Sequence, residues 1–248
     1  MRTNVLEEIR TELTKTSSSF EIIYRFRFPD LQQRELSITL DKTTLHAIRG
    51  VRNSYPEWTK LKNFKCPHCP LDESEHEYCP LAVSLVEVID KFKDAPSYQN
   101  VDIQVETPAR NYWKYSSLQS GVSSMLGIYM VSSGCPIMAK LKPLLYFHLP
   151  FASLDETQIR ALSLYLLSQY VVWKRGGTPD WEMNNLLNYY EDIRMLNHSV
   201  SRKIANLEEM DTSINSLVIL NNFADYVTFT IDEKVLEELE QYFKEFMP

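Results

Sequence analysis

Four cysteines carry the strongest chemical signal in the sequence. Cys66, Cys69, Cys79 and Cys135 are each followed by a proline. With proline near 5% of residues, four such steps arise by chance about six times in a million, and a hundredfold discount for a pattern noticed afterwards leaves it standing. A proline fixes its own φ and pushes the preceding cysteine toward extended backbone, which holds a thiolate in a set direction. The Cys-x-x-Cys pair, Cys66 and Cys69, puts two sulfurs on one tight loop, the half-site of zinc knuckles and iron–sulfur loops. Pro80 suits the first position of a helix over 81–92, so Cys79 stands where a helix dipole favours a thiolate. Cys135 is remote and follows a helix expected to end at Ser133-Gly134.

Three local ligands and one remote one would lock the loop onto the second half of the chain. One chemistry is a four-cysteine zinc site, with His68 or His76 able to replace a missing sulfur. The other is a 4Fe–4S cluster. Against zinc, there is no second Cys-x-x-Cys, and no glycine follows Cys69. Against the cluster, no second redox motif is evident. Without a metal, the four are buried thiols in turns. The acidic run Asp72-Glu73-Ser74-Glu75-His76-Glu77 would repel an anionic centre and is expected to face solvent.

Weaker constellations lie elsewhere. Phe147-His148-Leu149-Pro150-Phe151 places a histidine in an apolar segment shortly before Arg160, which would allow a pocket with His148 as acid/base and Arg160 as an anion clamp. The structural alternative is a hydrogen-bonded core histidine, with Glu156 occupied in a helix cap. Arg110, Tyr112, Trp113 and Lys114 interleave cations and aromatics, as a base-stacking surface would, or as the edge of a sheet. His46 and His198 stand isolated. The sequence has no phosphate-binding glycine loop, no Gly-x-Ser-x-Gly and no His-Glu-x-x-His, so the case for an enzyme is thin.

The elements that must position these residues follow from periodicity. Residues 20–28 alternate apolar and polar, and residues 36–40 alternate again after Pro29-Asp30, which predicts an antiparallel hairpin. Val101, Ile103 and Val105 predict a third strand, and 112–115 a fourth. From Leu118 onward the pattern is helical. Ser153-Leu154-Asp155-Glu156 is a capping box for a helix ending at Gly176-Gly177. Thr178-Pro179-Asp180 predicts the next helix start, with Pro179 in the first turn. Ile204, Leu207, Ile214, Leu217 and Leu220 continue the helical spacing, and a last amphipathic helix is expected over 232–246 with Val235, Leu236, Leu239, Tyr242 and Phe243 inward. Tyr165, Tyr170, Trp173, Trp181, Tyr189 and Tyr190 fall at helical spacings and are expected in the core.

The 248 residues include 44% hydrophobic and 24% charged residues, 6 glycines, and a net charge of −7. That is the composition of a folded globular chain, too acidic for a dedicated nucleic-acid binder. No stretch reaches the roughly 18 apolar residues of a membrane span, and the first residues lack a secretory pattern. A cytoplasmic protein is expected, in which cysteines serve as ligands or core residues.

Several strings together carry a likeness: Tyr24-Arg25-Phe26-Arg27-Phe28-Pro29, the 66–80 cysteine loop, Ser133-Gly134-Cys135-Pro136, and Phe147-His148-Leu149-Pro150-Phe151. On these the chain resembles a bacterial protein family of unknown function over most of its length. The resemblance implies a bacterial cytosolic origin and brings no activity.

The fold expected is α+β: a small antiparallel sheet in the N-terminal half packed on a mostly helical C-terminal half. Residues 1–115 form the strand-rich region with the cysteine loop (66–80), residues 116–248 the helical region, and the two form one integrated domain. The function expected is a metal-centred accessory, interaction or sensor protein built on Cys66, Cys69, Cys79 and Cys135, with zinc or 4Fe–4S. The alternatives are an enzyme using His148 and Arg160, or a nucleic-acid-binding protein. A protein partner is compatible with this reading; a membrane is not.

Overall fold

The protein is described here by a computed structural model covering residues 18–50, 52, 54–205, 211–229 and 239–247. Strand β1 (Ser19–Arg27) buries Ile22, Tyr24 and Phe26 and exposes Glu21 and Arg27, so the period of two seats one face on the core. β2 (Gln33–Asp41) pairs antiparallel along one side of β1, with Leu36 opposite Tyr24 and Ile38 opposite Ile22. β3 (Asn100–Glu106) pairs along the other side, with Val105 opposite Tyr24 and Ile103 opposite Phe26. β4 (Asn111–Ser117) completes the order β2-β1-β3-β4, every pair antiparallel.

The helices are α1 (Leu61–Phe64), α2 (Pro80–Phe92), α3 (Leu118–Val131), α4 (Lys142–Tyr146), α5 (Leu154–Lys174), α6 (Asn184–Ala205) and α7 (Thr212–Phe229). α2 and α3 cover the buried face of the sheet. Phe92 meets Phe26 edge to face, with centroids 4.9 Å apart. α3 then packs on α7, which pairs with α6, giving three layers. The α3 sequence LQSGVSSMLGIYMV is a poor helix former by propensity. Burial around most of its surface stabilises it instead. Gly121 sets its distance from the sheet: a Cβ there would lie 2.6 Å from Ile103 Cδ1 and 2.7 Å from Phe26 Cε1. One hydrophobic cluster runs from Ile22 to Val227 and includes Cys66, Cys79 and Cys135.

The capping box is formed. Glu156 N donates to Ser153 Oγ at 3.1 Å, and Ser153 N donates to Glu156 Oε2 at 2.8 Å. The helix start expected at Pro179 is displaced to Asn184. The Asp180 carboxylate accepts from the amides of Asn184 and Asn185 at 3.2 and 2.8 Å, and from Tyr165 Oη at 2.7 Å. That pins the turn to α5 and leaves Trp181 outside α6. Of the aromatics expected in the core, Tyr190 alone is fully buried, at 4% exposure; Tyr170, Trp173 and Trp181 are about half exposed. The reason is that α5 buries only Gln158, Ala161 and Leu162, all in its first half. The expected helix over 232–246 is described from residue 239. There Leu239 packs on the core, whereas Tyr242 and Phe243, expected inward, are exposed. Leu207, Val235, Leu236 and the first residues lie outside the described residues. No described helix is long and apolar enough to cross a membrane.

Candidate functional site

The cysteines are placed by three separate stretches. A β-bridge between Lys60 and Tyr78, with Leu61 N donating to Glu77 O and Cys79 N to Thr59 O, ties the approach to Cys79 against the start of α1. Cys66 and Cys69 follow α1 in a tight turn, Cys69 N donating to Cys66 O at 3.0 Å. Cys79 is the N-cap of α2 with Pro80 in the first turn, its side chain making no cap hydrogen bond, and the nearby amides of Leu81 and Ala82 favour its thiolate. Gly134, at φ 96°, lies against Pro80: a Cβ there would sit 3.8 Å from it. The left-handed turn thus delivers Cys135 beside the Cys79-Pro80 step, where the amides of Ile137 and Met138 donate to the Cys135 sulfur.

Each thiol is within electrostatic reach of at least two others. Cys66, Cys79 and Cys135 are buried and Cys69 is half-buried; none is in a disulfide. Burial pushes the thiols of Cys66 and Cys135 up, and that of Cys79 to about 11. As placed, no three His, Cys, Asp or Glu side chains among the described residues form a group that could hold a metal ion.

Two side chains of α6, absent from the sequence reading, complete the surroundings. Ser199 hydrogen-bonds the Cys66 sulfur. Lys203 Nζ donates to Lys65 O at 2.5 Å and stands 5.3 Å from the Phe64 ring centroid, with its charge facing Cys66, Cys69 and Cys79. His68 Nε2 bonds the Asp192 carbonyl oxygen at 2.9 Å. A carbonyl only accepts, so Nε2 carries the proton, and in the neutral ring Nδ1 keeps its lone pair. That nitrogen is buried with no partner among the described residues. His76 and its acidic neighbours face solvent.

His148 and Arg160 meet at a separate cavity of about 260 Å³ between α3, α5, α6 and α7, bordered by α4 and the 147–152 loop and partly open to solvent. His148 Nε2 and Ser124 Oγ each lie 2.8 Å from Tyr24 Oη, and Phe151 N donates to Ser124 Oγ at 3.3 Å. The chain closes if Ser124 donates to Tyr24 and Tyr24 donates to Nε2, leaving the His148 proton on Nδ1. Burial, with the Arg160 charge nearby, lowers the His148 pKa to about 3. A neutral ring with Nε2 already occupied is no general acid near pH 7. Arg160 Nη2 donates to the carbonyls of Leu144 and Phe147 at 3.0 and 2.6 Å, and no carboxylate lies within ion-pair distance of it among the described residues.

The interleaved segment in β4 is divided by the pleat. Trp113 and Tyr115 are exposed on the open face, at 66% and 57%, while Tyr112 and Lys114 lie on the opposite face. On the same face, Arg25, in register with Trp113, is paired to Glu35 at 2.6 Å and Glu106 at 2.7 Å, whereas Arg27, in register with Tyr115, has no ion pair among the described residues. The face therefore joins two aromatics to one neutralised arginine and one arginine without an ion pair, which falls short of the row of cations a phosphate backbone needs.

Comparison with known proteins gives one match. The profile of a family described as a domain of unknown function (DUF6901) matches residues 22–244. No curated protein and no solved structure matches.

Proposed function

The chain belongs to the DUF6901 family, and from that premise we propose that it is a metal-centred accessory or sensor protein whose ligands are Cys66, Cys69, Cys79 and Cys135. The observation that carries this is convergence of the backbone: three segments distant in sequence bring four cysteines within electrostatic reach of one another near the N-terminus of α2, the remote one by the Gly134 turn against Pro80. Backbone amides near the sulfurs of Cys79 and Cys135 favour their thiolate forms, as metal ligands need. Four thiolates around zinc, or around an oxidised 4Fe–4S core, leave a net charge of −2, and the half-buried Lys203 offsets part of it.

A single zinc would draw the sulfurs to about 3.8 Å from one another, as Zn–S bonds of about 2.3 Å in a tetrahedron require. No group of that kind is formed among the described residues. In a 4Fe–4S cube each thiolate takes its own iron, so the sulfurs stand wider apart. Zinc and the cluster are both carried as the occupant of this centre. Elemental analysis and a visible spectrum of the full chain purified without oxygen distinguish them. Stoichiometric iron and sulfide with broad violet-to-blue absorption would assign the cluster; colourless protein with one zinc per chain would assign zinc. Protein that holds neither metal after reconstitution would overturn the proposal, as would a Cys135→Ser chain that retains metal in full.

A further inference from the structure

The cavity between α3 and the α5–α6–α7 layer plays no part in the thiol centre, yet its lining is built in a way that packing alone leaves unexplained. Most of the wall is aliphatic, from Leu144, Leu145, Ile193 and Leu220 among others, and no aspartate or glutamate among the described residues lines it. Three polar atoms on that wall are buried without a partner among the described residues: Ser123 Oγ, Tyr190 Oη and Asn197 Oδ1. Their side chains belong to residues only 2%, 4% and 2% exposed. Asn197 and Tyr190 occupy the inward stripe of α6 formed by Leu186, Tyr190, Ile193, Asn197, Val200 and Ile204, where apolar residues would bury without cost. Buried polar groups normally find partners, so unpaired ones gathered on one cavity wall point to a missing ligand.

The polarity of the lining selects the ligand. Ser123 and Tyr190 can each donate a hydroxyl proton, and the Asn197 amide can present its NH₂ if the group is turned over. Arg160 is fixed by two carbonyls and lies within electrostatic reach of Tyr190 and His148. Lys114, 5.7 Å from the Phe151 ring centroid, adds a second cation. Water could satisfy the polar atoms, but each water needs two to four polar partners, and most of the wall supplies none. We infer that this cavity binds a small organic carboxylate with an aliphatic body, on the order of ten non-hydrogen atoms for a space of this size, its head among Arg160, Tyr190 and Ser123 and its tail against the leucines.

Octanoate, 1-octanol and octylamine, titrated calorimetrically into the full chain, share one tail and differ in the head. Octanoate is expected to saturate one site at least tenfold more tightly than octylamine and several-fold more tightly than octanol. Gly127→Leu tests the location. Gly127 lines the cavity, and a Cβ there meets only Leu220 Cδ2 at 3.9 Å, so a longer side chain grows into the empty space and should abolish binding while circular dichroism and Tm show a folded chain. Arg160→Gln should remove the preference for octanoate over octanol. Because Arg160 also holds two carbonyls, Tyr190→Phe provides a second reading: it deletes one unpaired hydroxyl, and should weaken octanoate several-fold without lowering Tm. No saturable octanoate binding, equal affinity for octanol or octylamine, or full binding by Gly127→Leu would each overturn the assignment.

Discussion

At the scale of single residues, His148 converts an environment into a measurable property. An unfolded chain protonates this ring below about pH 6.5, whereas the folded chain, with the ring shielded and bonded to Tyr24, resists until about pH 3. Between those values the unfolded state binds one more proton. Stability is therefore unaffected by this group above pH 6.5 and falls as pH drops toward 3, by up to about 1.4 kcal/mol per pH unit. His148→Gln should flatten that part of the profile, and the difference between the two urea-denaturation curves from pH 7 to 4 isolates the effect. An identical slope in both chains would show that the ring is not shielded. The sequence displays such residues unevenly. The cysteines announce themselves by repeated chemistry, Cys followed by Pro. Ser199 and Lys203 do not, because their relation to the thiols depends on how α6 is rotated. Asn197 did carry a signal, a polar residue at an apolar stripe position, visible only once the register of that helix is known.

At the scale of elements, two local features decide where helices sit. Gly121 permits the close approach of α3 to β1 and β3. Gly121→Ala gains about 1 kcal/mol in helix propensity but presses a methyl on Ile103 and Phe26, an overpacking cost of about 1–3 kcal/mol. A net loss of about 1 kcal/mol, read as a lower denaturation midpoint with unchanged slope, is expected. Asp180 holds the start of α6 through two amides and Tyr165. Asp180→Ala should cost about 1–2 kcal/mol, and amide exchange should rise at residues 184 and 185 before it rises elsewhere in α6. The strands were legible because alternation and the Pro29-Asp30 break agree with the sheet register. The start of α6 was misplaced by five residues because Thr178-Pro179-Asp180 has the composition of a cap, while the acceptor is spent on amides further along. The exposed aromatics of α5 show the other limit: helical spacing states which residues share a face, not whether anything packs on it.

At the scale of the whole molecule, one hydrophobic cluster joins the sheet to the helical layers and takes in Cys66, Cys79 and Cys135. A metal at the proposed centre would act by linkage: one that binds only the folded chain adds about 2.7 kcal/mol at a hundredfold excess over Kd. For a chain of this size that is about 5–10 °C in Tm. Strong chelation, or oxidative loss of a cluster, should lower Tm by that amount and leave a folded protein. The pattern of loosening matters more than its size. Cys79 and Cys135 lie on segments far apart in sequence but in contact at Pro80 and Gly134, so metal removal should raise hydrogen exchange in the 66–79 loop and in 135–141 together. Cys135→Ser should reproduce that joint pattern and make Tm insensitive to chelator. Loosening confined to the 66–79 loop would mean that Cys135 is a bystander and that the centre has three ligands, in which case the buried lone pair of His68 becomes the fourth to test, by His68→Ala against metal content.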